Sequence, residues 1–320
     1  MTGQGTRADD GSAEGVGVKP APVLIIPGGI EQQDEVLGTK PKFWFWDPSL
    51  GRALFKWSDR PGEDWAEWLA SQLAMRLDID AARVELAEHG ERRGIISSSF
   101  LEPGDELFHG NELLSAVVPD YPAQQIRRVT SYTVCACLDA VSGIAGAREQ
   151  LVGYLMFDAF VANTDRHHEN WAVVRRGSAV RLAPTYDHAA SFGYNHPDVK
   201  VARCLDPKDA NSSIEKYSAR ARSAFHPEDG GSERPIHPRD AFEVAAAIEP
   251  EAARRWLSRL AAVSDAEVGA LIARIPEDRI SAVKRTFVAS LLAWNRSCLL
   301  SSPRAAPSSR VDAEGGRCSS

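Results

Sequence analysis

NTDRHHENW, residues 163–171, concentrates charge between two apolar segments of the chain. Asp165 and Asn170 stand in the spacing D-x-x-x-x-N, and Asp187 follows after a short predicted hairpin. Phosphoryl transfer needs one carboxylate to orient the attacking hydroxyl, and an amide oxygen with a second carboxylate to hold Mg²⁺ on nucleotide phosphates. We therefore predict Asp165, Asn170 and Asp187 as catalytic residues, with Asn170 and Asp187 as metal ligands.

A second set of residues in the first third of the chain supports this interpretation. On its own, D-x-x-x-x-N is a weak signal, because Asp165 and Asn170 could simply cap turns in a solvated loop. However, Lys56 lies in the β-like run ALFKW, and Glu67 lies in the helix predicted to follow it. In protein kinases a strand lysine contacts the phosphates, and a glutamate of the next helix positions that lysine. Lys56 and Glu67 are our candidate nucleotide-binding pair.

Each member of this pair also has an ordinary explanation. A lysine on an edge strand protects against aggregation, and a glutamate on a helix surface is normally a solvated charge. Those explanations are hard to sustain together, because the features follow one another in the order sheet, Lys, helix, Glu, helices, Asp, Asn, hairpin, Asp. The stretch LGTKPKFW, residues 37–44, adds a turn that we predict to cover the phosphates. Its candidate cofactor-binding residues are Gly38, Thr39 and Lys40, with Lys42 beside them.

Two adjacent histidines, His167 and His168, suggest a metallohydrolase as a competing hypothesis, with Asp187 and His188 as further ligands. Side chains adjacent along an extended segment point to opposite sides, so both histidines would rarely bind one ion. We expect His167 to have a structural role.

The order of patterns predicts an α+β, two-lobed protein, with β-like runs first and helices second. We divide it into a disordered tail (1–21), a nucleotide-binding N-lobe of sheet plus helix (22–102), a helical C-lobe with the catalytic loop and metal-binding hairpin (103–300), and a second disordered tail (301–320). The β-like runs predict an antiparallel sheet, and DELFHGNELLSAV, residues 105–117, is predicted as a helix. Residues 194–238 are polar and too long for a passive connection.

Composition excludes several classes of function. The chain has 320 residues, 43% of them hydrophobic, and a formal net charge of −7, so no overall positive field attracts nucleic acid or an anionic membrane. The first residues lack the apolar core of a signal peptide, and no apolar run reaches membrane-spanning length. The five cysteines are scattered without a C-x-x-C pair. We expect a cytoplasmic protein with reduced thiols.

These residues resemble a known family. FDAFVANTDRHHENWAVV, residues 157–174, followed by LAPTYDHAASFG, residues 182–193, is similar to the signature of the HipA-like serine/threonine protein kinases. The helix text GEDWAEWLASQLAMRL and the stretch LGTKPKFWFW are also similar to that family, so the resemblance covers roughly residues 37–295. It implies a two-lobed, kinase-like fold with a β-rich N-lobe and a mostly helical C-lobe.

The resemblance also implies roles for individual residues. Asp165 would be the catalytic aspartate, Asn170 and Asp187 the Mg²⁺ ligands, and Lys56 the lysine on the phosphates of ATP. Glu67 would be the ion-pair partner of Lys56, with Glu63 as the alternative one helical turn earlier.

Two features depart from the family's toxin kinases. Their full-length chains carry an extra N-terminal domain that docks an antitoxin, for which this chain has little room, so an antitoxin-like partner stays open. Some members autophosphorylate a serine of the phosphate loop, whereas the nearest hydroxyl here belongs to Thr39.

The leading hypothesis is an ATP- and Mg²⁺-dependent kinase that phosphorylates a Ser or Thr hydroxyl of a protein substrate, without DNA or membrane contact. One alternative is phosphotransfer to a lipid or small-molecule hydroxyl. Another is a pseudokinase that binds nucleotide without turnover, although the complete set of Lys56, Asp165, Asn170 and Asp187 argues against it.

Overall fold

The first part of the chain folds as a sheet with one helix against it. In this computed structural model the described residues are 18–30, 32–34, 41–121, 132–206, 208–209, 212–228 and 234–302. Elements of the first part are β1 (Val23–Ile26), β2 (Gln33–Asp34), β3 (Lys42–Asp47), β4 (Gly51–Trp57), α1 (Glu63–Arg76), β5 (Val84–His89) and β6 (Arg92–Ser98).

These strands form a six-stranded sheet in the order β1-β5-β6-β4-β3-β2. All neighbouring pairs are antiparallel except β1 and β5, which run parallel, so the expectation of a wholly antiparallel sheet was wrong for β1. Strand β4 lies between β6 and β3, and Lys56 is therefore on an interior strand rather than at an edge. Gly94 of β6 allows close approach, because a Cβ there would collide with the carbonyl of Lys56 and the ring of Phe55.

Helix α1 is buried on nearly all sides. It begins after Gly62, which has a left-handed φ of 99°, and Glu63 and Asp64 occupy its first turn, where the helix dipole favours acids. Its core side chains include Trp65, Leu69 and Leu73, which are fully buried. The helix packs against β5 and β6 and also against a C-terminal helix, α9 (Asp265–Ala273). These contacts explain why α1 carries apolar side chains on more than one face.

The second part is mostly helical and contains one small sheet. Its elements are β7 (Glu106–His109), α2 (Gly110–Val117), α3 (Val134–Ala140), α4 (Ala147–Val161), β8 (Ala172–Arg176), β9 (Ala179–Leu182), α5 (Asp198–Leu205), α6 (Ile214–Ser218), α7 (Pro238–Ile248), α8 (Pro250–Ala261), α9 and α10 (Ala282–Leu300). Strands β7, β8 and β9 form an antiparallel sheet, and β8 and β9 are the hairpin predicted around Gly177. The central helix α4 packs against α7, α8 and α10.

One expectation about this part needs correction. Residues 105–117 are not one helix, because the first of them pair as β7 with β8 before α2 begins at Gly110. Gly110 itself packs against Trp171, where a Cβ would not fit. The polar segment 194–238 contains α5 and α6, which dock on α10. Tertiary packing on α10 thus organises a stretch whose composition is typical of loops.

The observed architecture matches the predicted class, a β-rich first part followed by a mostly helical second part. The boundaries 22–102 and 103–300 stay predictions. Among the described residues, no helix has both the length and the apolar character that crossing a bilayer requires.

Candidate active site

Four of the predicted site residues line one cleft of about 880 Å³. Lys56 comes from β4, Glu67 from α1, Asp165 from the loop after α4, and Asp187 from the segment after β9. Residues far apart in sequence therefore meet at one concave surface. Such convergence of charged groups in a cleft is typical of a ligand site.

Lys56, Glu67 and Asp187 form an ion-paired group that we call the cleft triad. The Nζ atom of Lys56 donates to Oε1 of Glu67 at 3.2 Å and lies 3.7 Å from Oδ1 of Asp187. Burial alone would lower the pKa of Lys56, but the charges of Asp187 and Glu67 outweigh it, so the net shift is upward. Lys56 is therefore charged at all physiological pH values. Asp187 keeps 35% of its side chain exposed, and so can still contact a ligand.

The alternative partner of Lys56, Glu63, has a different role. Its Oε2 atom accepts hydrogen bonds from the backbone N–H groups of Asp59 and Arg60, and its Oε1 atom accepts one from the Tyr194 hydroxyl. Glu63 thus fixes the turn before α1 and ties α1 to the second part of the chain. Of the two glutamates, Glu67 is the one that pairs with Lys56.

The predicted phosphate-covering turn cannot be placed. Gly38, Thr39 and Lys40 lie outside the described residues. Lys42, the next lysine, begins β3 opposite Lys56 and lines the same cleft.

Asp165 presents its carboxylate to the cleft, with 52% of the side chain exposed. Its backbone N–H donates to Oδ1 of Asn163 at 3.1 Å. The Nδ2 atom of Asn170 donates to the carbonyl of Asp165 at 2.6 Å, which closes the loop. The loop backbone is thereby held from both sides, while the carboxylate of Asp165 faces solvent.

Asn170 is buried and is not among the residues that line the cleft. Because its amide nitrogen donates to Asp165, its amide oxygen is the atom with acceptor capacity for a cation. Asp187 has a left-handed φ of 58°, a conformation that aspartate tolerates better than most residues. An amide oxygen and a partly exposed carboxylate are hard oxygen ligands, and this donor chemistry fits Mg²⁺.

Beneath the loop lies a second charged group, which we call the buried network: Asp158, Asn163, Arg166 and His188. Arg166 makes a bidentate pair with Asp158 of α4, with both N–O distances at 2.8 Å. Its Nη1 donates to the carbonyl of Asn170 at 2.6 Å, and its Nη2 contacts Nε2 of His188 at 2.9 Å. The Nδ2 of Asn163 donates to Asp158 at 2.8 Å. This network joins α4, the Asp165 loop and the segment that carries Asp187.

No role was predicted for Asp158 or Arg166 from the sequence. A signal existed, because Asp158 interrupts the otherwise apolar segment LVGYLMFDAFV, residues 151–161, and a charge inside a buried helix requires a partner. Arg166 is only one residue from Asp165, but nothing in the local sequence shows that its side chain turns inward.

The two histidines point to different surroundings. Nδ1 of His167 accepts from the backbone N–H of Glu169 at 3.2 Å. His168 stacks on Tyr132, and its Nδ1 lies 2.6 Å from the Tyr121 hydroxyl. Within the described part of the chain, no group of three or more His, Cys, Asp or Glu side chains has the arrangement of a metal site. The geometry gives the metallohydrolase hypothesis no support.

Comparison with known proteins now identifies the family. The model of the HipA-like C-terminal domain matches residues 35–266. The chain belongs to this family. The match spans β3 to α8, and so includes the whole cleft triad, Asp165 and Asn170. The predicted family resemblance is confirmed.

Solved structures show the same fold at low sequence identity. The Helicobacter pylori proinflammatory kinase CtkA superposes with a TM-score of 0.69 and 16% identity, over 86% of this chain and 95% of CtkA. Shewanella oneidensis HipA, solved with HipB and operator DNA, gives a TM-score of 0.53 and 14% identity, over 83% of this chain and 64% of HipA. No curated protein sequence matches significantly. The chain therefore has a HipA-like kinase fold, as predicted.

Proposed function

We propose that this protein is an ATP- and Mg²⁺-dependent kinase that transfers the γ-phosphoryl group to a Ser or Thr hydroxyl of a protein. The observation that carries the proposal is the cleft triad in the same cleft as Asp165. A lysine held by two carboxylates, one of them partly exposed, is suited to fix anionic phosphates beside a catalytic carboxylate.

In this proposal Asp165 orients the acceptor hydroxyl and takes its proton as the oxygen bonds to the γ-phosphorus, while the bond from that phosphorus to ADP breaks. The exposed carboxylate of Asp165 supports this role, and the hydrogen bonds that fix its backbone N–H and carbonyl hold it in place. Lys56 contacts the phosphates, and Glu67 keeps Lys56 in position.

Asn170 and Asp187 are the residues that would hold the divalent cation. When bound, Mg²⁺ would offset the negative charge of the phosphates during transfer. Arg166 contributes indirectly, because it hydrogen-bonds to the carbonyls of Asn170 and Tyr186 and so sets the spacing between the loop and Asp187.

The test is incubation with γ-labelled ATP and Mg²⁺, together with a cell lysate, lipid vesicles or small alcohols as separate acceptors. We expect label on protein, and we expect Asp165→Asn to reduce it by roughly 10²–10⁴-fold, as for loss of a catalytic base. ATP binding, followed by thermal shift, should change little.

Asp59→Asn is the matched control, because Asp59 lines the same cleft and is paired with Arg92. It removes an equal charge but has no proposed role, so labelling should persist. Label confined to lipid or small alcohols would contradict the protein acceptor, and ATP binding without any Asp165-dependent label would favour a pseudokinase.

A further inference from the structure

One wall of the cleft is basic and comes from elements that do not hold the nucleotide-binding candidates. Lys200 of α5, and Arg220 and Arg222 just after α6, are exposed and line the cleft that contains Asp165. We call these three residues the basic wall. The segment 194–222 carries six Lys and Arg against four Asp and Glu, in a chain whose formal net charge is −7. The segment that carries the basic wall therefore has a net positive charge, opposite in sign to that of the whole chain.

The backbone that carries the basic wall is anchored to the protein interior. The Tyr217 ring of α6 packs edge-on against Phe287 of α10 at 4.9 Å, and the Ser218 hydroxyl donates to Oδ1 of Asn295 at 2.8 Å. Gly193 has a left-handed φ of 63° and lies against the Tyr217 hydroxyl, where a Cβ would not fit. A wall fixed in this way presents its charges at low entropic cost to a ligand.

Two of these side chains have defined positions. Arg222 donates through Nη1 to the carbonyls of Ala219 at 3.1 Å and Ala221 at 2.7 Å. Lys200 places its Nζ 3.1 Å from Nδ1 of His196. The pKa of His196 is lowered by burial and then by the charges of Lys200 and Lys284, so the local field is positive.

The basic wall and the cleft triad come from different elements of the chain, so they can contact different molecules in the same cleft. If phosphates lie against Lys56, a group bound by Lys200 and Arg222 belongs to the molecule that brings its hydroxyl to Asp165. Arginine and lysine recognise carboxylates and phosphates through charge-assisted hydrogen bonds. The chain's net negative charge disfavours a long polyanion such as nucleic acid.

We propose that the basic wall binds an acidic peptide segment, in which the acceptor hydroxyl is flanked by Asp or Glu. This proposal rests on the proposed function, since it names the substrate class of the same site. It assigns Lys200, Arg220 and Arg222 to acceptor recognition.

The experiment measures binding, so it does not depend on turnover. Three fluorescent peptides share one serine and differ only in acidic, neutral or basic flanking residues, and their Kd values are measured by anisotropy on the full chain. We expect the acidic peptide to bind at least about tenfold more tightly than the neutral one, with an advantage that shrinks as salt rises. Lys200→Glu and Arg222→Glu should each weaken acidic-peptide binding by about tenfold.

Lys216→Glu is the matched control, because Lys216 is exposed on α6 and does not line the cleft. It makes the same change of charge in the same segment, and its acidic-peptide Kd should stay within about twofold of wild type, as for a charge outside the contact. Thermal melting of each variant checks that the fold is intact.

Several results would overturn the proposal. Equal affinity for the three peptides, or an equal effect of Lys216→Glu and Arg222→Glu, would remove its basis. Tighter binding of a single-stranded oligonucleotide than of the acidic peptide would assign the wall to nucleic acid. A raised Kd for ATP in Arg222→Glu, with an unchanged peptide Kd, would assign it to the nucleotide. Loss of the proposed function would appear separately, as an absence of Asp165-dependent labelling.

Discussion

The cleft triad and the buried network are two charged groups of similar composition in very different surroundings. Each pairs a cation with carboxylate, but Asp187 of the triad is 35% exposed, whereas Arg166 and Asp158 of the network are 1% and 5% exposed. The guanidinium of Arg166 hydrogen-bonds to groups from α4, the Asp165 loop and the segment after β9. Lys56 and Asp187 face an open cleft.

This difference in exposure suggests different roles for the two groups, one in stability and the other in ligand binding and turnover. A buried, fully hydrogen-bonded cation fixes the backbone around it, and removal of one partner leaves an uncompensated charge. A charge at a cleft surface can exchange a protein partner for a ligand. We therefore expect the network to control stability and the triad to control turnover, and the variants below test that division.

The largest effect is expected from Arg166→Met. Loss of the guanidinium leaves Asp158 charged and buried, which should lower the free energy of unfolding by about 3–5 kcal/mol. Urea denaturation measures it. Arg175→Met removes an exposed arginine of β8 that is paired with Glu106 and should leave the unfolding midpoint unchanged. Equal midpoints for the two variants would show that the network does not carry stability.

The next effect is expected from Lys56→Met. It should lower kcat/KM for ATP about a hundredfold, because one preorganised charge on the phosphates is lost. The urea midpoint should fall less than for Arg166→Met, since water can reach Asp187 once Lys56 is gone. Lys56→Arg keeps the charge and tests whether charge alone suffices. If Lys56→Met were as unstable as Arg166→Met and had normal turnover once folded, the cleft triad would also serve stability, and the proposed division between the two groups would be wrong.

The cleft residues could be predicted from the sequence, whereas the buried network could not. Lys56, Glu67, Asp165 and Asp187 were predicted as site residues because they follow one another in a recognisable order relative to strands and helices, and the structure brings all four to one cleft. No motif links Asp158 to Arg166, because the two pair only when the side chain of Arg166 turns inward, and that orientation is set by the fold. Strand β7 was predicted as helix, because the four residues of ELFH gain their strand conformation only by pairing with β8.

The packing of α5 and α6 against α10 could not be predicted from the sequence either. Residues 194–238 are rich in Pro, Gly and Ser, and local patterns alone predict a loop. Their position against α10 depends on contacts such as that of Tyr217 with Phe287, which join residues far apart along the chain. Long-range packing of this kind leaves no periodic signal in the segment itself.

The smallest effect concerns the pH dependence of the network and tests its protonation state. Nε2 of His188 accepts from Nη2 of Arg166 at 2.9 Å and from the Thr185 hydroxyl at 3.0 Å, so the ring must be neutral. Burial, and next the charge of Arg166, hold its pKa well below the ordinary value of 6.5, although Asp187 acts in the opposite direction and the more distant Lys56 in the same one. Phe157 packs edge-on against the ring.

Because the folded pKa of His188 is depressed, its contribution is intact above about pH 6.5 and is lost below it, where the unfolded state gains a proton that the folded state refuses. The free energy of unfolding should fall by up to about 1.4 kcal/mol per pH unit in that range. In His188→Gln an amide oxygen can still accept from Arg166, but nothing titrates, so the slope below pH 6.5 should flatten. The two proteins differ only at position 188, so contributions from the rest of the chain cancel in the difference. Parallel stability curves from pH 7 to pH 5 would mean that the ring takes up a proton as readily in the folded protein as in the unfolded one, and the hydrogen bond from Arg166 would then have to be reassigned.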